Sequence, residues 1–291
     1  MVNYVRELSE ELAKVGVSGR LRRRIVTELA DHLHCDPRVD LGEPAELAHR
    51  FADELGTRRA TRAAYASFGA LALAGTLFAV VFLTSGSAGP NATHVYASSA
   101  LVGYLGVALV LLAPQVAFVA GLLALVRTFR HRNDDVLARS NAVLIGRRAA
   151  VGVGAGFATM VGLVLIAVEF EGELAGWWTR LALCTAVAGT CGLVAATPAV
   201  LAALRLKPVA GGRVEDLFDD LAGLVPRPLR GRPWALAAAV SVAVALIIAA
   251  AGALLGDPVD GALRGAADGF ACLIGFTALG RYLGLRAETV T

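Results

Sequence analysis

The densest group of side chains that could bind a metal lies at the end of the second predicted helix and in the helix after it. Its members are Asp31, His32, His34, Cys35, Asp36 and His49. His32 and Cys35 lie one helical turn apart, and His49 could reach the same ion from a neighbouring helix. A structural zinc site needs four ligands in a tetrahedral array, and here the second cysteine of the close pair used by zinc-binding anti-sigma heads is missing. We interpret the group as the solvated end of a helix and predict no metal and no other cofactor.

Catalytic residues form no recognisable motif in the apolar segments. These segments contain no serine paired with a histidine, no paired aspartates and no zinc-protease motif. The four cysteines, Cys35, Cys184, Cys191 and Cys272, lack the close spacing of a metal or redox motif. Because a membrane enzyme also needs a positioned acid, base or nucleophile, we predict that the chain is not an enzyme.

The structural elements that position these residues are mostly long apolar segments. The composition is 56% hydrophobic and 18% charged, with a mean hydropathy of +0.63, which is far from that of a soluble globular protein. A bilayer core about 30 Å thick needs roughly 20 apolar residues per helix. Six segments come close to that length, namely 63–83, 101–126, 149–168, 181–204, 234–255 and 263–283. The last is the weakest, since it contains Arg264 and Asp268.

The basic residues are segregated in a way that predicts the topology. Of 27 Lys and Arg residues, all but Arg180 and Arg264 lie in the N-terminal 62 residues, near the C-terminus or in two of the five connections. Basic residues mark the cytoplasmic side of a membrane protein. With six spans, both termini are then cytoplasmic. Two Lys against many Arg suggests a bacterial source, and we predict a multi-pass protein of the bacterial inner membrane.

Residues 1–62, here called the head, differ from the rest of the chain because charged residues surround a sparse apolar pattern. Leu8 and Leu12 belong to a first helical stripe that Gly16 ends, and a second helix follows Ser18. A third helix starts near Pro44 and is predicted to end at Gly56. The run from residue 57 onward has a helical pattern that continues into the first span. We expect three short amphipathic helices around one small core.

The head resembles a known family at a defined set of positions. They are Tyr4, Val5, Leu8 and Leu12, then Arg24, Ile25, Glu28, Leu29, His32 and Leu33, then Pro44, Ala48, Phe51, Leu55 and Gly56. This order is similar to the HAAS signalling domain, which itself resembles the prefix domain found before some bacterial permeases. The resemblance covers about residues 1–60. It implies a cytoplasmic helical head associated with PadR-type transcription regulators and often with ABC transporters, and it carries no catalytic motif.

Two surfaces of the polar segments are candidates for binding a partner. The first is the basic run Arg20, Arg22, Arg23 and Arg24 on the second helix, with Glu28 and His32 on the following turns. It suits phospholipid head groups or a protein better than DNA, because no DNA-binding motif accompanies it. The second is an amphipathic helix at about 213–224, whose apolar stripe includes Leu217, Phe218 and Leu221 and whose opposite face is acidic. We hypothesise that this acidic face meets the basic run of the head.

Ionisable residues within or beside the spans are costly and suggest a role. Asp268 follows Arg264 by four residues, so the two share a helix face and can neutralise each other. Arg180 can pair with a carboxylate of its own hairpin, for which the candidates are Glu169, Glu171 and Glu173. We favour structural pairing over an ion or proton pathway, because the other spans lack acidic residues at mid-depth.

Glycines recur at intervals of four residues in two spans. Gly261, Gly265 and Gly269 form one stripe, and Gly152 and Gly156 form a shorter one. Small residues at this spacing let helices approach closely. The stripes predict tight packing within the chain more strongly than dimerisation, although a homo-oligomer stays open.

These features predict an all-α polytopic membrane protein with six transmembrane helices and a small N-terminal three-helix domain. The domains are the head at 1–62, the membrane domain at 63–286 and a short tail at 287–291. We expect a signalling or regulatory protein whose head binds a cytoplasmic partner such as a PadR-type transcription regulator, without direct binding of nucleic acid. The alternative is a permease, or the membrane subunit of an ABC-type complex, which would pair with an ATPase.

Overall fold

The chain is helical throughout the part that its computed structural model describes, which comprises residues 2–35, 41–83, 101–132, 136–172, 174–206, 233–254 and 258–279. These ranges contain eight helices and no strand. The helices are α1 (Val2–Lys14), α2 (Gly19–Cys35), α3 (Pro44–Leu83), α4 (Leu101–Arg130), α5 (Arg139–Glu169), α6 (Gly176–Leu204), α7 (Pro233–Leu254) and α8 (Pro258–Leu279). For the described residues, the predicted all-α class is confirmed.

Five of these helices are long and apolar enough to cross a membrane. They are α3, α4, α5, α6 and α7, and each overlaps one of the predicted spans. The sixth predicted span, 263–283, overlaps α8 as far as residue 279, beyond which it lies outside the described residues; α8 is 22 residues long and is not among the five. Arg264 and Asp268 lower its apolarity. The structure thus supports a multi-pass membrane protein, with five candidate spans in the described ranges.

The helices α3 to α6 form a bundle in which α5 is central. Helix α5 packs against α3, α4 and α6, and half of its most apolar window is buried. Helices α7 and α8 pack along each other and join the bundle through contacts between α8 and α4. Only 11% of the apolar window of α7 is buried, so α7 lies at the periphery. Its large exposed side chains, Val242, Leu246 and Ile247, suit contact with lipid rather than water.

Small residues allow the helices of the bundle to approach closely. A side chain added at Gly162 of α5 would lie 3.0 Å from the carbonyl oxygen of Gly106 on α4. One added at Gly156 would lie 2.9 Å from Leu71 of α3 and from Leu193 of α6. Lipid gives helices no hydrophobic driving force to associate, so such close van der Waals contact must supply much of the stability.

The helices of the head pack around one apolar cluster. Its buried members are Leu8 and Leu12 of α1, Val17 after α1, and Ala48 of α3, with half-buried side chains of α2 at its edge. As predicted, α1 ends before Gly16, whose φ of +85° is a left-handed conformation that glycine adopts without strain. Also as predicted, α2 begins directly after Ser18 and α3 begins at Pro44.

Helix α3 is a single helix of 40 residues and runs from the head into the bundle. The prediction that Gly56 ends it was wrong, whereas the predicted helical continuation from residue 57 into the first span is confirmed. Gly56 is buried, and its Cβ position faces Leu206 at 3.7 Å. A Cβ at this distance would be in ordinary van der Waals contact, so the helix passes through Gly56 without a packing requirement for glycine. At 1.5 Å per residue, α3 is about 60 Å long, which is twice what a bilayer core requires.

Candidate functional site

The predicted contact surface on α2 faces solvent. Five of its six residues are exposed, namely Arg20, Arg23, Arg24, Glu28 and His32, and Arg22 is half-buried. The Arg24 Nε donates to Glu28 Oε1 at 2.7 Å, and the Arg23 Nε donates to the Gly19 carbonyl at 3.3 Å. The Glu28 carboxylate raises the pKa of Arg24, mainly through this hydrogen bond, so the guanidinium stays charged. The surface combines three exposed cations with one carboxylate.

The second predicted contact surface lies outside the described residues. It comprises Leu217, Phe218 and Leu221 of the segment at 213–224, together with the acidic face opposite them. The hypothesis that this face meets the basic run of α2 stays a prediction. The predicted tail at 287–291 also lies outside the described ranges.

The possible metal ligands of the head do not form a group in the described ranges. No three His, Cys, Asp or Glu side chains there lie close enough to hold one ion. His32 and Cys35 are both exposed near the end of α2, and His49 is exposed on α3. Asp36 lies outside the described residues. These positions bring no further ligand to the incomplete set of metal ligands that the sequence contains.

The head and the bundle meet at a junction formed by α3, the start of α5 and the end of α6. The backbone N–H of Leu137 donates to the Thr57 Oγ1 at 2.9 Å, and the Thr57 hydroxyl donates to the Asp53 carbonyl at 2.8 Å. The Arg139 Nη1 lies 3.7 Å from the Asp53 Oδ1, and its Nη2 donates weakly to the Val15 carbonyl at 3.5 Å. Arg139 at the start of α5 thereby contacts both α3 and the turn after α1.

Two arginines near the junction are fully buried, which the sequence pattern did not predict. The Arg127 Nη2 of α4 donates to the Asn141 Oδ1 of α5 at 2.8 Å. The Arg148 Nη1 of α5 donates to the Leu123 carbonyl of α4 at 3.2 Å. Both were interpreted only as markers of topology. Their burial at the α4–α5 contact shows that they also tie these two helices together, because a buried guanidinium requires polar partners. Asn141, an isolated amide shortly before the third predicted span, was the available signal.

Asp268 is buried where α8 meets the bundle. Only 8% of it is exposed, and the Gln115 side chain of α4 hydrogen-bonds its carboxylate. Arg264 interacts with it electrostatically one turn away, as the predicted pairing requires. On the same helix, Cys272 is buried and hydrogen-bonds with Ser241 of α7. Gln115 and Ser241 were missed, although a lone polar residue in an apolar span was a usable signal.

Arg180 has a different partner from those predicted. It is exposed, and its Nε donates to the Gly176 carbonyl at 3.1 Å within the first turns of α6. Within the described residues it forms no ion pair with Glu169 or Glu171, and Glu173 lies outside them. An exposed arginine gains little from a single ion pair, because water already solvates its charge.

The predicted glycine stripes lie at close helix contacts. A Cβ at Gly261 would lie 2.6 Å from Gly252, and one at Gly265 would clash with the Ala245 carbonyl. Gly269 faces Ser241 and Ala245 in the same way. On α5, Gly152 and Gly156 face α3 at 3.0 and 2.9 Å. The predicted tight packing within the chain is confirmed.

Comparison with known proteins adds no relative. No protein-family model, curated protein or solved structure matches the chain. The resemblance of the head to the HAAS domain thus stays a prediction, and the function has to be argued from the residues themselves.

Proposed function

We propose that the chain is a six-span regulatory protein of a bacterial inner membrane, with both termini cytoplasmic, whose head binds a soluble partner such as a PadR-type transcription regulator. One observation carries the proposal. Helix α3 belongs both to the apolar cluster of the head and to the bundle, so the head cannot turn without moving or bending the first span.

The assignment of six spans is supported by the packing of α8. This helix lies along α7 at the glycine stripe, and it contacts α4 through the Asp268–Gln115 hydrogen bond. Arg264 and Asp268 therefore each have a polar or charged neighbour, which lowers the cost of placing them in lipid. An even number of spans also places the C-terminal tail, with Arg281 and Arg286, on the same side as the head and the arginine-rich connections, as the segregation of basic residues requires.

The partner surface is proposed to be the exposed face of α2. Its cations lie within little more than one helical turn, and Arg20 and Arg23 form no ion pair with any described residue. Such a face attracts an acidic protein surface and speeds its encounter. For a signal to control capture, it must bind one state of the head more tightly than the other. The junction between head and bundle is where two such states would differ.

A second candidate function is that of a permease or of the membrane subunit of an ABC-type complex. A cavity of about 480 Å³ between α3, α4 and α5 favours it. Aromatic and aliphatic side chains line the cavity, including Phe68, Phe118 and Met160. The hydroxyls of its two threonines, Thr76 and Thr159, donate to carbonyls of their own helices. The cavity suits an acyl chain or another apolar ligand rather than an ion.

Affinity purification in mild detergent tests the two functions. The full chain is compared with the double variant Arg20→Gln, Arg23→Gln and with the matched control Arg50→Gln, Arg58→Gln, which removes two exposed charges from α3 instead. Recovery of a transcription regulator that is lost only in the α2 variant supports the proposal. Recovery of an ATPase from all three supports the transport alternative. If neither protein is recovered under native expression, partner capture is refuted.

A further inference from the structure

A polar cavity lies between the head and the bundle and has no counterpart in the sequence analysis. Its volume is about 760 Å³. It is bounded by the end of α1 and the turn after it, by α3, by the start of α5 and by the residues that follow α6. We call it the junction cleft. Because its walls come from both the head and the bundle, an occupant would contact both.

The lining of the junction cleft is strongly basic. Lys14, Arg59, Arg139 and Arg205 line it together with His49, and among the described lining residues Asp53 is the one carboxylate. Lys14 is already paired with Glu11, and the Arg139–Asp53 contact is long at 3.7 Å. Within the described part of the chain, Arg59 and Arg205 form no ion pair. The described part of the cleft thus brings cations together from two sides, and two of them, Arg59 and Arg205, are outside any ion pair formed there.

The start of α5 adds to this potential. Arg139 and Ser140, its first two residues, line the cleft, and the residue before them, Ala138, offers no side-chain cap. The amino end of a long helix carries a partial positive charge and presents backbone N–H groups to an anion. Here the amino end of α5 adds to the positive potential of the basic side chains, and it would not form an anion site alone.

We propose that the junction cleft binds a phosphate-bearing anion and that the bound anion holds the head against the bundle. Guanidinium groups match phosphate oxygens in geometry and form charge-assisted hydrogen bonds with them. The cleft volume lies within the range of small-molecule sites, which fits a phosphorylated head group or a small phosphorylated solute. In the proposed topology it lies at the inner leaflet, where both sources are present. The site is separate from the α2 face, so it does not rest on partner capture.

The test uses the full chain purified in a neutral detergent and, separately, in nanodiscs of zwitterionic or of mixed zwitterionic and anionic phospholipid. Thermal unfolding is followed against inorganic pyrophosphate in detergent and against the anionic lipid content in nanodiscs. The cleft variant is Arg59→Gln, Arg205→Gln. The matched control is Arg50→Gln, Arg58→Gln, which removes two exposed charges of α3 that do not line the cleft. Arg59 is half-buried and Arg205 exposed, so these changes leave the apolar core intact.

Saturable stabilisation is expected in the wild type and in the control, with the half-saturating concentration raised about ten- to hundredfold in the cleft variant, as for the loss of charged hydrogen bonds. Saturation by pyrophosphate identifies a soluble phosphate compound, whereas a response to anionic nanodiscs alone identifies a lipid head group. The proposal is overturned if neither probe saturates, or if both double variants respond alike. The single variant Arg205→Gln serves as a second measurement if the double variant does not fold.

Discussion

Substitution of Thr57 by Val is expected to loosen the junction at one identifiable hydrogen bond. The Thr57 hydroxyl accepts the backbone N–H of Leu137 at 2.9 Å, and Leu137 is only 3% exposed. Valine keeps the shape of threonine but offers no acceptor. The Leu137 N–H would then be left without the partner that connects the segment before α5 to α3.

The size of this effect follows from the burial of the donor. Leaving a buried donor unsatisfied costs about 1–3 kcal/mol, which corresponds to a change of about 5- to 150-fold in an opening equilibrium. The lower end applies if water reaches the N–H after a small local movement. The Thr57 hydroxyl also donates to the Asp53 carbonyl, but that carbonyl belongs to a helix whose backbone ladder is intact, so its loss adds little.

Hydrogen exchange measured by mass spectrometry is the direct assay. In Thr57→Val, peptides that cover residues 136–139 should exchange about 5- to 150-fold faster, while peptides from the centre of α5 should keep the wild-type rate. The control Thr57→Ser retains the acceptor and should exchange within a few-fold of the wild type. Equal exchange in the wild type and in Thr57→Val, or equally fast exchange in both variants, would refute the assigned hydrogen bond.

Three further predictions concern packing, docking and charge. Gly265→Ala should destabilise the chain to unfolding in sodium dodecyl sulfate by about 1–3 kcal/mol, because the new methyl group meets the α7 backbone. Gly154→Ala, with open space at its Cβ, should be neutral or should stabilise the chain by up to about 1 kcal/mol. Gln115→Leu should weaken docking of α8 on α4 by about 0.6 kcal/mol, and at most about 1.7, in the same assay. If the stability of this variant equals that of the wild type, Gln115 does not contribute to the contact. The Glu11 carboxylate raises the pKa of Lys14 above its ordinary value of 10.5. The stabilisation of the folded head by this pair is therefore complete below pH 10.5 and is lost as the pH rises through the raised pKa. An NMR titration should show this shift disappearing in Glu11→Gln.

The sequence predicted the helices better than their boundaries. Apolar segments of about 20 residues are dictated by the bilayer, and glycine at a left-handed position is dictated by local sterics, so the spans and the end of α1 at Gly16 were both foreseeable. Gly56 was misinterpreted because glycine also occurs inside helices. It costs about 1 kcal/mol there relative to alanine, and the packing of α3 in both the head and the bundle outweighs that cost, which no local pattern reveals.

The site was less predictable because the spans carry almost no amphipathic signal. When a helix is apolar on all sides, its sequence does not show which face meets protein and which meets lipid. Arg127 and Arg148 therefore looked like ordinary basic residues at the ends of spans, and only the packing of α4 on α5 shows that both are buried. The basic lining of the junction cleft was hidden for the same reason, because Arg59, Arg139 and Arg205 come from three separate segments.

The contacts at the junction contribute so little free energy that the binding of one ligand can outweigh or reinforce them. In the described residues, α1 packs along α2 and α3, and neither α1 nor α2 packs along a helix from α4 to α8. The Thr57–Leu137 hydrogen bond is worth about 1 kcal/mol net, and a long, partly exposed ion pair such as Arg139–Asp53 is worth less than about 1 kcal/mol.

Shifting a two-state equilibrium almost fully from one side to the other requires about 5.5 kcal/mol of differential binding. A phosphate group bridging Arg59 and Arg205 would form several charge-assisted hydrogen bonds, each worth about 1.5–3 kcal/mol, and these contacts exist only while head and bundle are together. Release of the anion would remove more stabilisation than the Thr57–Leu137 hydrogen bond and the Arg139–Asp53 pair together provide. Control of the head by an anion in the junction cleft is therefore energetically sufficient, without any rearrangement in the tightly packed centre of the bundle.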